Sequence, residues 1–182
     1  MTLEMELPQH LDIQTFTDYL MNNLNNRSNH YFLAVYTQIA GRIPMSGTAK
    51  ILTDISEEVF YSSLKTLMES DHASTIPHRF YIAELYYAAV GLGKLKFNLE
   101  KNEGILSHSM LDNAWIRLFS TSTTPINFVT SGYIAATFGL VFGKPLHSYR
   151  VSEKKSIACG ESFSIFKIQR AEDVIKTLLS VN

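Results

Sequence analysis

Apolar residues return every three to four positions through the N-terminal half of the chain. In two later stretches they return at every second position, so helices are predicted first and strand pairs afterwards. Asp12 is placed to cap a helix with Ile13, Phe16, Leu20 and Leu24 on one face. The Asn-rich loop Asn22–Asn29 separates it from a second helix, His30–Ala40, which Gly41 and Pro44 close. Met45–Thr53 has no clear period. Ser56 followed by Glu57 and Glu58 reads as a helix start, with acids where the dipole favours them. That helix would turn Val59, Phe60, Leu64, Leu67 and Met68 inward. After a loop at Asp71–Pro77, Arg79–Val90 forms a helix rich in Tyr and Ala. Tyr86 and Tyr87 are adjacent on it and so cannot face the same way.

The period changes at Gly91-Leu92-Gly93. Lys94–Glu100 alternates, with Leu95, Phe97 and Leu99 on one side, and Lys101–Gly104 turns the chain into a return strand, Ile105–Ser109. Met110–Phe119 is a short helix holding Trp115, and Ser120–Thr124 is a polar loop. The stretch from Pro125 to Ile168 organises the rest. Its first part, Ile126–Phe142, is too short and too interrupted by Asn127, Thr130, Ser131 and Thr137 for a membrane span, so it reads as a buried helix. Gly132, Ala136 and Gly139 put small residues on one face of it, where another backbone can approach. Gly143 and Pro145 stop it. Two strands follow, Leu146–Glu153 and Ser162–Ile168, turned at Gly160, with Phe163, Ile165 and Lys167 sharing a side. Ala171–Leu179 closes the chain as an amphipathic helix. The order predicts a single α+β domain over residues 1–182. It has a helical N-terminal half and a four-stranded, largely antiparallel sheet covered by helices on one face.

Composition narrows the function classes. With 46% apolar and 18% charged residues the chain is globular. A formal net charge of −1 gives no electrostatic reason for nucleic acid as a partner, and Lys154-Lys155 is the only adjacent basic pair. The lone cysteine, Cys159, excludes an internal disulfide and a cysteine-rich zinc site. Met1–Asp12 has neither the basic nor the apolar region of a secretory signal, so a cytoplasmic protein is expected. Gly91 and Gly93 lack the third glycine of a dinucleotide loop, and Gly143-Lys144 runs into Pro145 where a Walker loop needs Ser or Thr. No nucleophile elbow, paired histidines at metal spacing or Cys/His arrangement appears. His72 and His78 read as solvated and His147 as structural. No catalytic residue and no enzyme reaction is predicted.

From residue 90 to 168 the pieces fall in a familiar order: Gly91-Leu92-Gly93, then Ser107–Ser109, then Pro125–Tyr133, then Glu153, Ser156, Gly160, Ser164 and Phe166. In that order and spacing the segment resembles the 4-vinyl reductase domain family. Its ligand-binding fold is shared with aromatic-effector sensor domains and with TRAPP-type tethering subunits, the fold of NO signalling and Golgi transport. The resemblance implies a pocket between helices and sheet, with Phe97, His108, Trp115, Phe119, Phe128 and Tyr133 as its ligand-facing residues. Effector-sensing relatives hold a structural zinc with a Glu and three Cys. Here only Glu153 is kept. The later cysteine positions are Ser156 and Ser164, and the upstream one falls within Asn127–Thr130, so no zinc is expected. Phe163 and Phe166 would then hold the hairpin by packing.

The function expected from the resemblance is a sensor or regulatory domain for a hydrophobic ligand, aromatic compounds included. It would be a homodimer whose output passes through a partner protein. Two alternatives follow from the same family: an accessory role in tetrapyrrole or bacteriochlorophyll metabolism, with a bound tetrapyrrole, and a TRAPP-like scaffold subunit.

Overall fold

The computed structural model describes residues 47–174. The helices expected at Ile13–Leu24 and His30–Ala40, and most of that at Ala171–Leu179, lie outside the described residues. Helix α1 spans Thr48–Ser70, α2 Ile76–Ala89, α3 Met110–Phe119 and α4 Phe128–Val141. The strands are β1 Gly93–Asn98, β2 Glu103–Ser109, β3 Tyr149–Lys155 and β4 Ser164–Arg170, with a 3₁₀ turn at Ile157–Cys159 between the last two. The sheet order is β1-β2-β4-β3, every neighbouring pair antiparallel. The architecture is α+β. Among the described residues no helix is long and apolar enough to cross a membrane.

Local chemistry explains most boundaries. Thr75 caps α2 by accepting the His78 amide, and Pro77 sits in the first turn, where no helical donor is needed. Helix α2 therefore begins at Ile76, before the expected Arg79. Ser109 caps α3 through the Asp112 amide, and Asn127 caps α4 through the Thr130 amide. Helix α1 starts eight residues before the predicted signal at Ser56, because Gly47 at positive φ breaks the chain there and Ser56 lies mid-helix. Val59 is exposed rather than inward, whereas Leu64 and Met68 fill the core as expected. Strand β3 begins at Tyr149, not Leu146, since His147 takes a left-handed φ of 64° and gives its amide to Glu57 Oε1. Leu99, expected beside Leu95 and Phe97, lies exposed past the end of β1.

The inward face of the sheet carries Leu95, Leu106, Phe166 and Ile168 against α2 and α4. The pairings Glu103↔Lys167 to Leu106↔Ser164 put Ser164, Phe166 and Ile168 inward. Phe163 therefore does not pack the hairpin as expected. It lies exposed under the Lys155 ammonium, and Phe166 alone is fully buried. Gly93, at φ 137°, runs so close to β2 that a Cβ would fall on the carbonyl oxygen of His108. The core is rich in edge-on aromatic contacts, among them Phe80 with Phe138, Phe138 with Tyr149, and Phe60 and Tyr87 with Tyr133. Of the adjacent tyrosines, Tyr87 is the buried one, and its hydroxyl bonds Thr130 Oγ1 at 2.7 Å. Tyr87→Phe strands that buried threonine hydroxyl and should cost about 1–2 kcal/mol. Urea titration of the two proteins would read this directly.

Candidate functional site

The end of β2, the start of α3, the start of α4 and the end of β3 meet around a group of buried polar side chains. Ser109 closes β2 and its hydroxyl accepts the Asp112 amide at 3.0 Å, so the helix cap itself turns Asp112 into the interior. Asn127, the cap of α4, joins the parts. Its Nδ2 donates to Asp112 Oδ2 at 3.0 Å and to Ser109 Oγ at 3.3 Å, and its backbone amide donates to Glu153 Oε2 at 3.3 Å. Ser164 Oγ accepts the Ile157 amide at 2.9 Å and anchors the 3₁₀ turn. Ser109, Asp112, Asn127, Ser156 and Ser164 are all buried.

The electrostatics are those of two acids held away from water. Burial pushes the Glu153 carboxyl up to about 7, and the nearby Asp112 carboxylate adds to this. The Ser156 and Ser164 hydroxyls and the Asn127 amide draw it partway back. Burial also raises Asp112, against the bonds from Ser109 and Asn127. Three oxygens are left without a well-formed hydrogen bond: Asp112 Oδ1, Glu153 Oε1 and Ser156 Oγ.

Asn127 and Glu153 also floor a cleft of about 270 Å³ between α1, the start of α4 and β3. Pro125, Phe128, Tyr149 and Val151 give it apolar wall, and Thr53, Asp54, Glu57 and Ser131 polar wall. At its rim Asp54, Glu57 and His147 bring potential ligand atoms within 4.8 Å of one another. Pairing within the chain accounts for this group. Glu57, almost fully buried, takes the His147 amide at 2.7 Å and its Nδ1 at 3.2 Å, which staples the loop before β3 onto α1. Burial raises the Glu57 carboxyl in spite of those bonds.

The six residues expected to face a ligand lie in several places. Phe128 lines the cleft. Trp115 and Phe119 contact each other edge-on in a second apolar cluster with Leu111, Ile126 and Ala158. Phe97 packs on Phe80 and Phe138 in the main core, and Tyr133, fully buried there, donates to the Ala83 carbonyl. His108 is exposed on β2. Asp112 had no signal of its own in the sequence beyond an acid in the third position of a capped helix, which is ordinary at a helix start.

The fold does bring Glu153, Ser156 and Ser164 together with Asn127, the first residue of the Asn127–Thr130 segment, and these are the places at which the resemblance implies zinc ligands. Their donors are carboxylate, hydroxyl and amide oxygens. Zinc in closed structural sites takes thiolate and imidazole, so the residues present do not fit it. Cys159 is a lone thiol, raised by burial, and one thiol does not make up for three missing cysteines.

The fold and this site define a class: helices over one face of a four-stranded antiparallel sheet, with a side cleft that meets a buried polar cluster. No protein-family model matches the sequence, and no curated protein is similar to it at a significant level. Solved structures do share the fold. One is the phenol-responsive sensory domain of the transcription activator PoxR, determined with phenol. It matches with a TM-score of 0.63 and 10% identity over 79% of this chain and 75% of that one. Another is a vinyl-4-reductase family protein from Methanocaldococcus jannaschii, with a TM-score of 0.50 and 16% identity over 91% of this chain and 99% of that one. The chain has the fold of the family it resembles.

Proposed function

We propose that this domain is a small-molecule sensor or regulatory module for a hydrophobic ligand, aromatic compounds included, acting as a homodimer and signalling through a partner protein. The observation that supports it most is the fold shared with a phenol-responsive sensory domain over 79% of the chain. The mixed lining of the cleft, apolar walls around a few polar groups, agrees with the usual form of such sites. In this reading Phe128 is the contact nearest the cleft floor. Phe97, His108, Trp115, Phe119 and Tyr133 complete the proposed set, some of them by supporting the walls.

A second reading, a scaffold subunit, has its own support. The aromatic core is filled, and Ile51, Ile55 and Val59 form an exposed apolar stripe along α1. Native mass spectrometry of the purified protein, then identification of anything released on denaturation, separates the two. The sensor reading expects a small organic molecule at one per chain, or uptake of added phenol that changes the fluorescence of Trp115, the sole tryptophan. Phe128→Ala should weaken that uptake about tenfold, the loss of one half-buried aromatic wall. An empty dimer that takes up no aromatic compound would overturn it in favour of the scaffold. A released pigment would point to the tetrapyrrole role instead.

A further inference from the structure

We propose that the outer face of the sheet docks an acidic amphipathic helix of a partner protein. The first argument is the register. Leu95, Leu106 and Phe166 point inward, so their neighbours along each strand point to the other face. On that face Lys96, Ile105, Ile165 and Lys155 form one cross-strand row, from β1 through β2 and β4 to β3. The two central isoleucines are half-buried and the two edge lysines exposed. Among the described residues, the helices that meet the sheet, α2 and α4, pack on its inward side.

The second argument is charge. Lys94, Lys96, Lys155 and Lys167 stand on this face, and among the strand residues Glu103 is its only acid. The chain as a whole carries a formal charge of −1, so the surplus is local. A face that serves only solvation ordinarily mixes both signs. Glu84, Glu103 and Glu161 pair with Lys96, Lys167 and Lys155, yet each of these lysines stays exposed, and exposed pairs hold weakly enough to exchange.

The third argument is fit. Strands lie about 4.8 Å apart, so about 14 Å separates Lys96 from Lys155 across the row. A helix, about 10–12 Å wide with its side chains, lies between them along the two central strands. Its apolar stripe would cover Ile105, Ile165 and Phe163, which is 36% exposed. Acids on its two flanks would meet the lysines of β1 and β3. RNA-binding sheets stack bases on aromatic rings of their central strands, where this face carries isoleucine. A lipid surface calls for apolar side chains free to insert, whereas Phe163 lies under the Lys155 ammonium. The face gives the partner protein of the sensor reading a place to dock, and to that extent the inference rests on that reading.

The test uses the whole chain and a synthetic helical peptide of about 18 residues, with leucines on one stripe and glutamates on both flanks. Its twin carries lysine in place of every glutamate. Oligouridylate and vesicles of phosphatidylcholine and phosphatidylserine are the other probes. By fluorescence anisotropy the glutamate peptide should bind at one per chain, more weakly as salt rises, and the other three probes should not bind. Lys94→Glu and Lys155→Glu should each weaken the peptide about tenfold. Lys65→Glu makes the same charge change at an exposed site on α1 and should have less than about a twofold effect. Lys155→Gln, expected to weaken binding about threefold, serves if the reversed charge impairs folding, which thermal melting reads. The inference is overturned if the glutamate peptide does not bind, if Lys65→Glu weakens it as much as Lys155→Glu, or if RNA or vesicles bind in its place. Phenol uptake should be unchanged in Lys155→Glu, so loss of peptide binding and loss of phenol uptake are separate results, the second bearing on the sensor reading alone.

Discussion

Gly132→Ala is expected to lower the stability of this domain by about 3 kcal/mol or more, a fall in Tm of about 10 °C. The added methyl would lie 2.6 Å from Ser56 Cβ and 2.7 Å from the Glu57 amide nitrogen, and closer still to the carbonyl oxygen of Thr53. Two of those three atoms are helix backbone, so no rotamer change relieves the clash and α1 must move off α4. Alanine should gain about 1 kcal/mol from helix propensity, which the clash outweighs. Gly139→Ala, on the same face of α4, is the control. Its methyl would meet the Lys144 carbonyl and the Tyr61 ring at 3.4 Å, an ordinary contact. That variant should be neutral or stabilised by up to about 1 kcal/mol. Thermal melting of the pair decides the matter: equal losses at both positions would mean that the close approach of α1 is not what position 132 serves. The displacement would reach the cleft as well, since Thr53 and Glu57 line it.

The second large effect is a dependence on pH that runs opposite to the usual behaviour of a paired carboxylate. The folded-state value of Glu153 is about 7, above its ordinary 4.5, so the folded protein holds a proton that the unfolded chain has released. The stability this supplies is complete below about pH 4.5 and is lost as pH rises through about 7. At about 1.4 kcal/mol per pH unit, the upper limit is about 3 kcal/mol. Asp112, also raised by burial, acts in the same direction. Of the other titrating groups around the cluster, Cys159 and Tyr87 are raised away from this window. Urea titrations between about pH 5 and 8 should show the decline in the parent protein. In Glu153→Gln, which keeps an oxygen for the Asn127 amide and carries no charge, the decline should shrink to the shares of Asp112 and Glu57. The variant should then be the more stable protein at the alkaline end. Parallel curves for the two would remove Glu153 as the cause.

Much of this architecture is legible in the residue pattern because helix and strand periods are local records of which side meets the core. Met110–Phe119 is found as predicted, the two hairpins fall where alternation follows a turn, and the apolar run before Gly143 is a buried helix. The resemblance to the 4-vinyl reductase domain also marked Glu153, Ser156 and Ser164 as a place where side chains converge. The face of β4 was misread for a physical reason. A strand of alternating Phe, Ser, Ile, Phe, Lys and Ile offers an apolar residue on both sides, and only pairing with Leu106 on β2 puts Ser164 and Phe166 inward. The start of α1 was misplaced because an acid after a serine looks the same at a helix start as in a helix middle.

By itself, then, the sequence determined the order of elements, the antiparallel strand pairs and the small-residue face of α4, all set by interactions between residues close along the chain. Tertiary structure decided which of the small residues receives another backbone, a distinction between Gly132 and Gly139 that no local pattern contains. It decided that Trp115 and Phe119 pack apart from Phe97 and Tyr133. It also set Asp112, on a helix, near Glu153, on a strand far along the chain, with Asn127 between them. Whether a buried acid is paired or protonated depends on which groups surround it in space, and only folding assembles that surrounding.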